Sequence, residues 1–180
     1  EVYDKDIAWR DQGEPTFGGW APVVARDTGA GLVLDTGRWK VSAEIVSHGD
    51  GLGLSAGLRR RWTCLGYRFE AEGKVVAISG DTVACPGLTR LAKDADLLVQ
   101  CCFLATPEIE GEHFLRLARH TLACGDTVGK IAAEARVKAL ALTHHRPRAD
   151  GAMRAALAQD VAQDYKGRLI LAEDLTEIAL

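Results

Sequence analysis

Val75-Val76-Ala77-Ile78-Ser79-Gly80-Asp81-Thr82 decides how the rest of the chain reads. Four apolar residues make a buried strand. A small turn then stops the strand and leaves a carboxylate at its carboxyl end. Layered α/β sheets place ligands and catalytic groups at such strand ends. The same event recurs on both sides of it. Downstream, Ala139-Leu140-Ala141-Leu142-Thr143-His144 is an apolar run that ends in an imidazole. Upstream, Trp39-Lys40-Val41-Ser42-Ala43-Glu44-Ile45-Val46-Ser47 leads to His48. Two strand-end histidines therefore flank one strand-end aspartate, and His and Asp suit zinc and related divalent metals.

The intervening chain supplies elements to carry these ends. Val23 to Leu34 and Arg38 to Val46 read as strands around Asp35-Thr36-Gly37, a tight-turn sequence. Gly49 to Leu58 holds four glycines and reads as a loop beside His48. Cys64 to Glu70 and Lys74 to Ser79 read as a hairpin across Ala71-Glu72-Gly73. Pro86 to Lys93 reads as a short helix with Pro in its first turn, and Asp96 to Phe103 as a buried strand. Glu108 to His120 has helical spacing, and Asp126 is placed to cap a helix from Thr127 to Arg136. Ala139 to Thr143 is a strand. Ala149 to Tyr165 is an amphipathic helix with Met153, Leu157 and Val161 four apart. Arg168 to Leu180 is a last strand and tail. Strands alternate with helices after residue 80, which argues for an α/β layer.

At this point the chain resembles the metallo-β-lactamase fold superfamily, in the branch that holds ribonuclease Z, phosphodiesterases and arylsulfatase-like hydrolases. The resemblance rests on an ordered series. A strand ending in His48 is followed by Leu65-Gly66-Tyr67-Arg68-Phe69, then Ser79-Gly80-Asp81-Thr82, then Ala95-Asp96-Leu97-Leu98-Val99. His120, Val137-Lys138-Ala139-Leu140-Ala141-Leu142-Thr143-His144 and Pro147 complete it. It covers roughly residues 38 to 148. The family's first metal motif, His-x-His-x-Asp-His, is absent. The resemblance therefore implies the C-terminal half of an αββα sandwich, a mixed sheet with helices on its outer face. Residues 1–180 are expected to form one partial domain of this kind, entered through a loop-rich segment over 1–22 that is rich in Gly, Pro, Asp and Trp.

Composition bounds the function. Hydrophobic residues at 47% and charged residues at 26% are ordinary for a soluble globular protein. A formal net charge of −3 gives no general attraction to nucleic acid. The apolar runs are too short to span a bilayer, so no membrane role is expected. Cys64, Cys85, Cys101, Cys102 and Cys124 are odd in number and form no C-x-x-C pair, which fits reduced thiols in the cytoplasm.

The resemblance implies a metallohydrolase with two divalent ions, zinc first and Mn or Fe as alternatives. His48 and His144 would each serve one ion and Asp81 would bridge them. His120 would assist the leaving group. By itself Asp81 reads equally as a helix cap, and His48 as a surface histidine on a Gly-rich loop. The Thr-His order favours His144 over His145, which reads as a backing or surface group. His120 also reads as a structural helix-end histidine, and His113 as solvated. Arg59-Arg60-Arg61-Trp62 reads first as a solvated run and second as a grip on an anionic substrate. Cys101 and Cys102 read as core thiols behind the site.

The implied substrate is a small ester, phosphodiester, sulfate ester or lactone. The interval from His48 to Asp81 leaves little room for the tRNA-gripping arm of bacterial ribonuclease Z, so nucleic acid is the less expected substrate. An RNA-processing nuclease and a non-catalytic half-fold kept for binding or assembly are the alternatives. Since zinc sites use three or four protein ligands, the chain alone is expected to bind metal weakly and to be inactive. Its expected partner is the N-terminal half of the same fold or a second copy of the chain.

Overall fold

The computed structural model describes residues 25–146 and 151–180, together with Asp4, Lys5 and Ala8. The remainder of the expected entry segment 1–22 lies outside the described residues, as do Pro147 and Ala149.

Seven strands form one sheet in chain order: β1 (Gly31–Asp35), β2 (Trp39–Val46), β3 (Cys64–Ala71), β4 (Lys74–Ile78), β5 (Leu97–Cys101), β6 (Ala139–Thr143) and β7 (Arg168–Leu171). β1 to β4 run antiparallel and β4 to β7 parallel. Local chemistry sets the antiparallel half. Between β1 and β2, the Gly37 amide donates to Asp35 Oδ1 at 2.8 Å, an Asx turn. Between β3 and β4, Glu72 and Gly73 both take positive φ, 52° and 72°. That is the backbone of a two-residue turn whose twist matches the flanking strands. The turn is one residue shorter than read from the sequence, because Ala71 pairs with Lys74 inside the ladder.

Parallel pairing needs crossovers, and helices supply them. α1 (Ala56–Arg59) is a single turn capped by Ser55, whose hydroxyl accepts from the Leu58 amide. It ends the glycine-rich loop that the sequence had left unstructured to Leu58. α2 (Pro86–Ala92) links β4 to β5, and α3 (Gly111–His120) and α4 (Gly125–Glu134) link β5 to β6. α5 (Gly151–Asp164) precedes β7. Two expected starts are corrected. Glu108 does not open α3: it closes a 3-10 turn, Thr106–Glu108, by accepting the Ala105 amide on its own carboxylate at 3.0 Å. Asp126 does not cap α4: Cys124 holds the cap position and Asp126 lies in the first turn, where burial raises its pKa.

Alternation along the strands gives the sheet two faces. On one, Val46, Ala77, Leu98, Leu140 and Leu142 pack with Leu88, Leu91, Val128, Ile131, Leu157 and Val161 of the helices. Met153 packs against this core from the same stripe of α5. On the other face Leu97, Ala139 and Ala141 form a smaller cluster with Val76, Val99, Ile170 and Ile178. Ile178 comes from the tail, which folds back over β5 to β7. The β1–β4 half of that face keeps Leu34, Trp39, Ile45, Phe69 and Ile78 exposed, Ile45 at 57%.

Candidate metal centre

The carboxyl ends of β2, β4 and β6 carry His48, Asp81 and His144. Thr82, fully buried, laces the first two ends together. Its Oγ1 accepts from the Ser47 amide at 3.1 Å and lies 3.0 Å from the Ser47 carbonyl. The Val83 amide donates to the same carbonyl at 2.9 Å. The Thr82 carbonyl accepts from the Ala123 amide at 2.8 Å and from the Cys101 thiol at 3.3 Å. The residue beside Asp81 is thus fixed to β2, to β5 and to the segment after α3.

Asp81 and His144 meet: His144 Nε2 lies 3.5 Å from Asp81 Oδ2, with both side chains about half exposed. His144 ends β6 with φ 59°, a left-handed backbone that non-glycine residues seldom adopt. Phe103 stands edge-on to its ring at 5.9 Å.

His48 makes contacts of its own with Thr121 and Trp62. Its Nδ1–H donates to the Thr121 carbonyl at 2.7 Å, which leaves Nε2 as the nitrogen with a free lone pair. Trp62 stacks on the ring with 6.2 Å between centroids and donates its indole N–H to the His48 carbonyl at 2.7 Å. His120 is the last residue of α3. Its carbonyl accepts from the Gly49 amide, and its ring lies where a Cβ on Gly51 would sit. The glycine-rich loop therefore joins His48 to His120.

His145, the next residue, is tied to the chain after β5. Its Nδ1–H donates to the Cys102 carbonyl at 3.1 Å, its Nε2 is buried with no hydrogen-bond partner among the described residues, and burial lowers its pKa. Cys101, Cys102 and Cys124 are buried free thiols. Burial pushes Cys124 up to about 12 and Cys102 higher still, so none is a ready thiolate. His113 is exposed on α3. Arg59 and Arg61 bond the carbonyls of Asp50 and Gly57, and none of Arg59, Arg60 and Arg61 pairs with a carboxylate among the described residues.

The donor set suits a divalent cation in kind. One carboxylate touches one imidazole, and a second imidazole has its tautomer set by a backbone carbonyl, as metal-bound histidines do. It falls short in number: no group of three or more His, Cys, Asp or Glu side chains among the described residues is placed to hold a metal ion. Sequence reasoning missed three contributors, Thr82, Thr121 and Trp62. Thr82 stood in the quoted stretch, but its bonds reach residues 35 positions away. The other two act through long-range contacts that spacing does not encode.

No protein-family model matches the chain. It is 32% identical over 114 residues to ribonuclease Z of Thermobifida fusca and 34% identical over 102 residues to ribonuclease Z of Myxococcus xanthus. Those matches take in 63% and 57% of this chain. The chain spans about a third of the length of these curated relatives, 34% and 31%. Among solved structures it superposes on an isothiocyanate hydrolase from Delia radicum gut bacteria with a TM-score of 0.60 at 15% identity, over 88% of this chain and 59% of that one. A metallo-β-lactamase fold protein of Bacillus subtilis gives 0.58 at 18% identity, over 78% and 49%. The short form of human tRNase Z gives 0.57 at 22% identity, over 82% and 44%.

Proposed function

We infer that this chain, which has the C-terminal portion of a metallo-β-lactamase fold, supplies one side of the site of a metal-dependent hydrolase. The meeting of Asp81 and His144 at two separate strand ends carries this reading. His48, with Nε2 left free by the Thr121 carbonyl, is the third ligand, and the relatives' hydrolase chemistry supports the same assignment. His48 would hold one divalent ion and His144 the other, with Asp81 between them. Zinc suits imidazole and carboxylate donors best, with Mn and Fe as alternatives. When bound, such ions polarise the scissile group and lower the pKa of a bound water to roughly 7. Asp81 and His144 orient one another, Thr82 fixes the Asp81 turn, and His120 is the group to share a proton with the leaving atom.

The remaining ligands would come from outside the described residues, either from the N-terminal portion of the fold or from a second copy. The open apolar half of the sheet is the surface it would cover. The chain alone is inactive in this reading. The free cysteines support a reducing, cytoplasmic setting. No helix among the described residues is long and apolar enough to cross a membrane.

The substrate is a small ester, phosphodiester, sulfate ester or lactone, in keeping with the net charge of −3 and the short interval between His48 and Asp81. A second reading, an RNA-processing nuclease, is favoured by one observation: both curated relatives are named ribonuclease Z. Metal content and turnover of the natural-length protein beside its Asp81→Ala variant test the assignment.

A further inference from the structure

The loop that follows His48 comes back to it. Gly49, with φ 85°, turns the chain at the strand end. The Leu52 amide donates to the Gly49 carbonyl at 3.0 Å, and the Ser47 hydroxyl donates to Asp50 Oδ2 at 2.7 Å. Arg59, at the end of α1, ties the far limb of the loop to its start by donating to the Asp50 carbonyl at 3.1 Å. The Trp62 amide then donates to the Arg59 carbonyl at 3.3 Å. Residue 62 is thereby returned to residue 48.

Trp62 directs its side chain at His48. Its indole N–H donates to the His48 carbonyl at 2.7 Å. Its ring lies nearly parallel to the imidazole, with 14° between planes and 6.2 Å between centroids. Core packing does not account for this residue. It is 44% exposed and belongs to none of the apolar clusters among the described residues. The Thr121 carbonyl at Nδ1 decides which edge of the imidazole is used up. A bond to one atom still lets the ring tilt about that atom, and a parallel aromatic face opposes the tilt. The indole bond to the carbonyl steadies the backbone that carries the ring. Thr121 and Trp62 together therefore set where Nε2 points.

Resting on the hydrolase reading, we propose that Trp62 is a positioning residue for the metal site, holding the His48 imidazole so that Nε2 is presented to a divalent ion. It touches neither the ion nor the substrate. The loop from Gly49 to Trp62 is then a clasp on one ligand.

Heteronuclear NMR of His48 and zinc affinity by chelator competition test this in the natural-length protein and its Trp62→Phe and Trp62→Leu variants. Phe keeps an aromatic face and loses the N–H, and Leu loses both. Without metal, at about pH 8 where an ordinary imidazole is neutral, the wild type should show a slowly exchanging His48 Nδ1–H. Trp62→Leu should exchange it faster, with Trp62→Phe between. Zinc affinity should fall about tenfold in Trp62→Leu, the lower end for partners that orient a ligand histidine and about 1.4 kcal/mol. Trp62→Phe should recover part of it, and the thermal midpoints of all three should agree. Unchanged exchange and unchanged zinc affinity in Trp62→Leu would overturn the proposal and leave the hydrolase reading standing. Equal losses in both variants together with a lowered midpoint would mark a purely structural role and overturn it too. Faster exchange in Trp62→Leu, in a protein whose wild type takes no zinc, would overturn the hydrolase reading and with it the metal role of Trp62.

Discussion

His144 Nε2 lies 3.5 Å from Asp81 Oδ2, although 63 positions of chain and two crossovers separate the two residues. The parallel β4-β5-β6 ladder makes this meeting. Ile78 pairs with Val99, and Val99 with Ala141, so the residues just past each strand come out at the same sheet edge. His144 reaches it through a left-handed backbone, φ 59°. Asparagine tolerates that conformation better than most residues. His144→Asn should therefore keep the fold and the thermal midpoint while losing the imidazole ligand. Metal affinity should fall at least tenfold, and calorimetric zinc titration beside a melting curve checks both halves.

Gly51 controls His120. A Cβ at residue 51 would overlap the His120 ring, and Gly51 does not need a left-handed backbone. Gly51→Ala should therefore displace the imidazole without straining the loop. Turnover should fall while zinc content stays at the wild-type level. Normal turnover in Gly51→Ala would remove His120 from the chemistry.

Asp96 ties the far end of the sheet. It accepts from Lys138 Nζ at 2.7 Å and from the Val75 amide at 2.8 Å. The Lys138 hydrogen bond, then the Val75 amide, holds its pKa below the usual carboxylate value. A carboxyl whose folded pKa is depressed adds stability above its unfolded pKa, and that stability is lost as pH falls through the folded value. Asp96→Asn should thus lower the thermal midpoint most near neutral pH, with the difference from wild type shrinking below about pH 4. Melting curves across that range check it.

The β1–β4 half of the open face keeps Leu34, Trp39, Ile45, Phe69 and Ile78 accessible. Monomers seldom expose an apolar patch beyond a few hundred Å². About 500 Å² left wet costs on the order of 10 kcal/mol at about 25 cal/mol per Å². The 180-residue chain by itself should dimerise, aggregate, or bind an N-terminal fragment. Light scattering that shows a well-folded, dye-silent monomer at micromolar concentration would contradict this.

The parallel strands were legible because burial on both faces leaves near-continuous apolar runs. β6 was read to its observed ends, and β5 was read one residue too long at its start, Asp96, and two at its end, Cys102 and Phe103. The two corrected helix starts share a cause. Glu108 and Asp126 both carry cap-forming chemistry, but Glu108 commits its carboxylate to the Ala105 amide of the preceding 3-10 turn, and the helix at Asp126 begins one residue before it, at Gly125. The site was legible as strand ends, since strand ends follow from pattern alone. The orientation of His48 was not, because it depends on a carbonyl 73 positions away. The tail covering β5 to β7 was equally hidden, since Ile178 shows no periodicity that marks it as a lid.

The central claim is that Asp81 is the shared ligand of a hydrolytic metal site. Metal content by elemental analysis, measured with ester and phosphodiester turnover in the natural-length protein and its Asp81→Ala variant, tests it most directly. The expected result is about two divalent ions and measurable turnover in the wild type, with metal lost and turnover abolished in Asp81→Ala. Near-normal zinc content together with near-normal turnover in the variant would contradict the account.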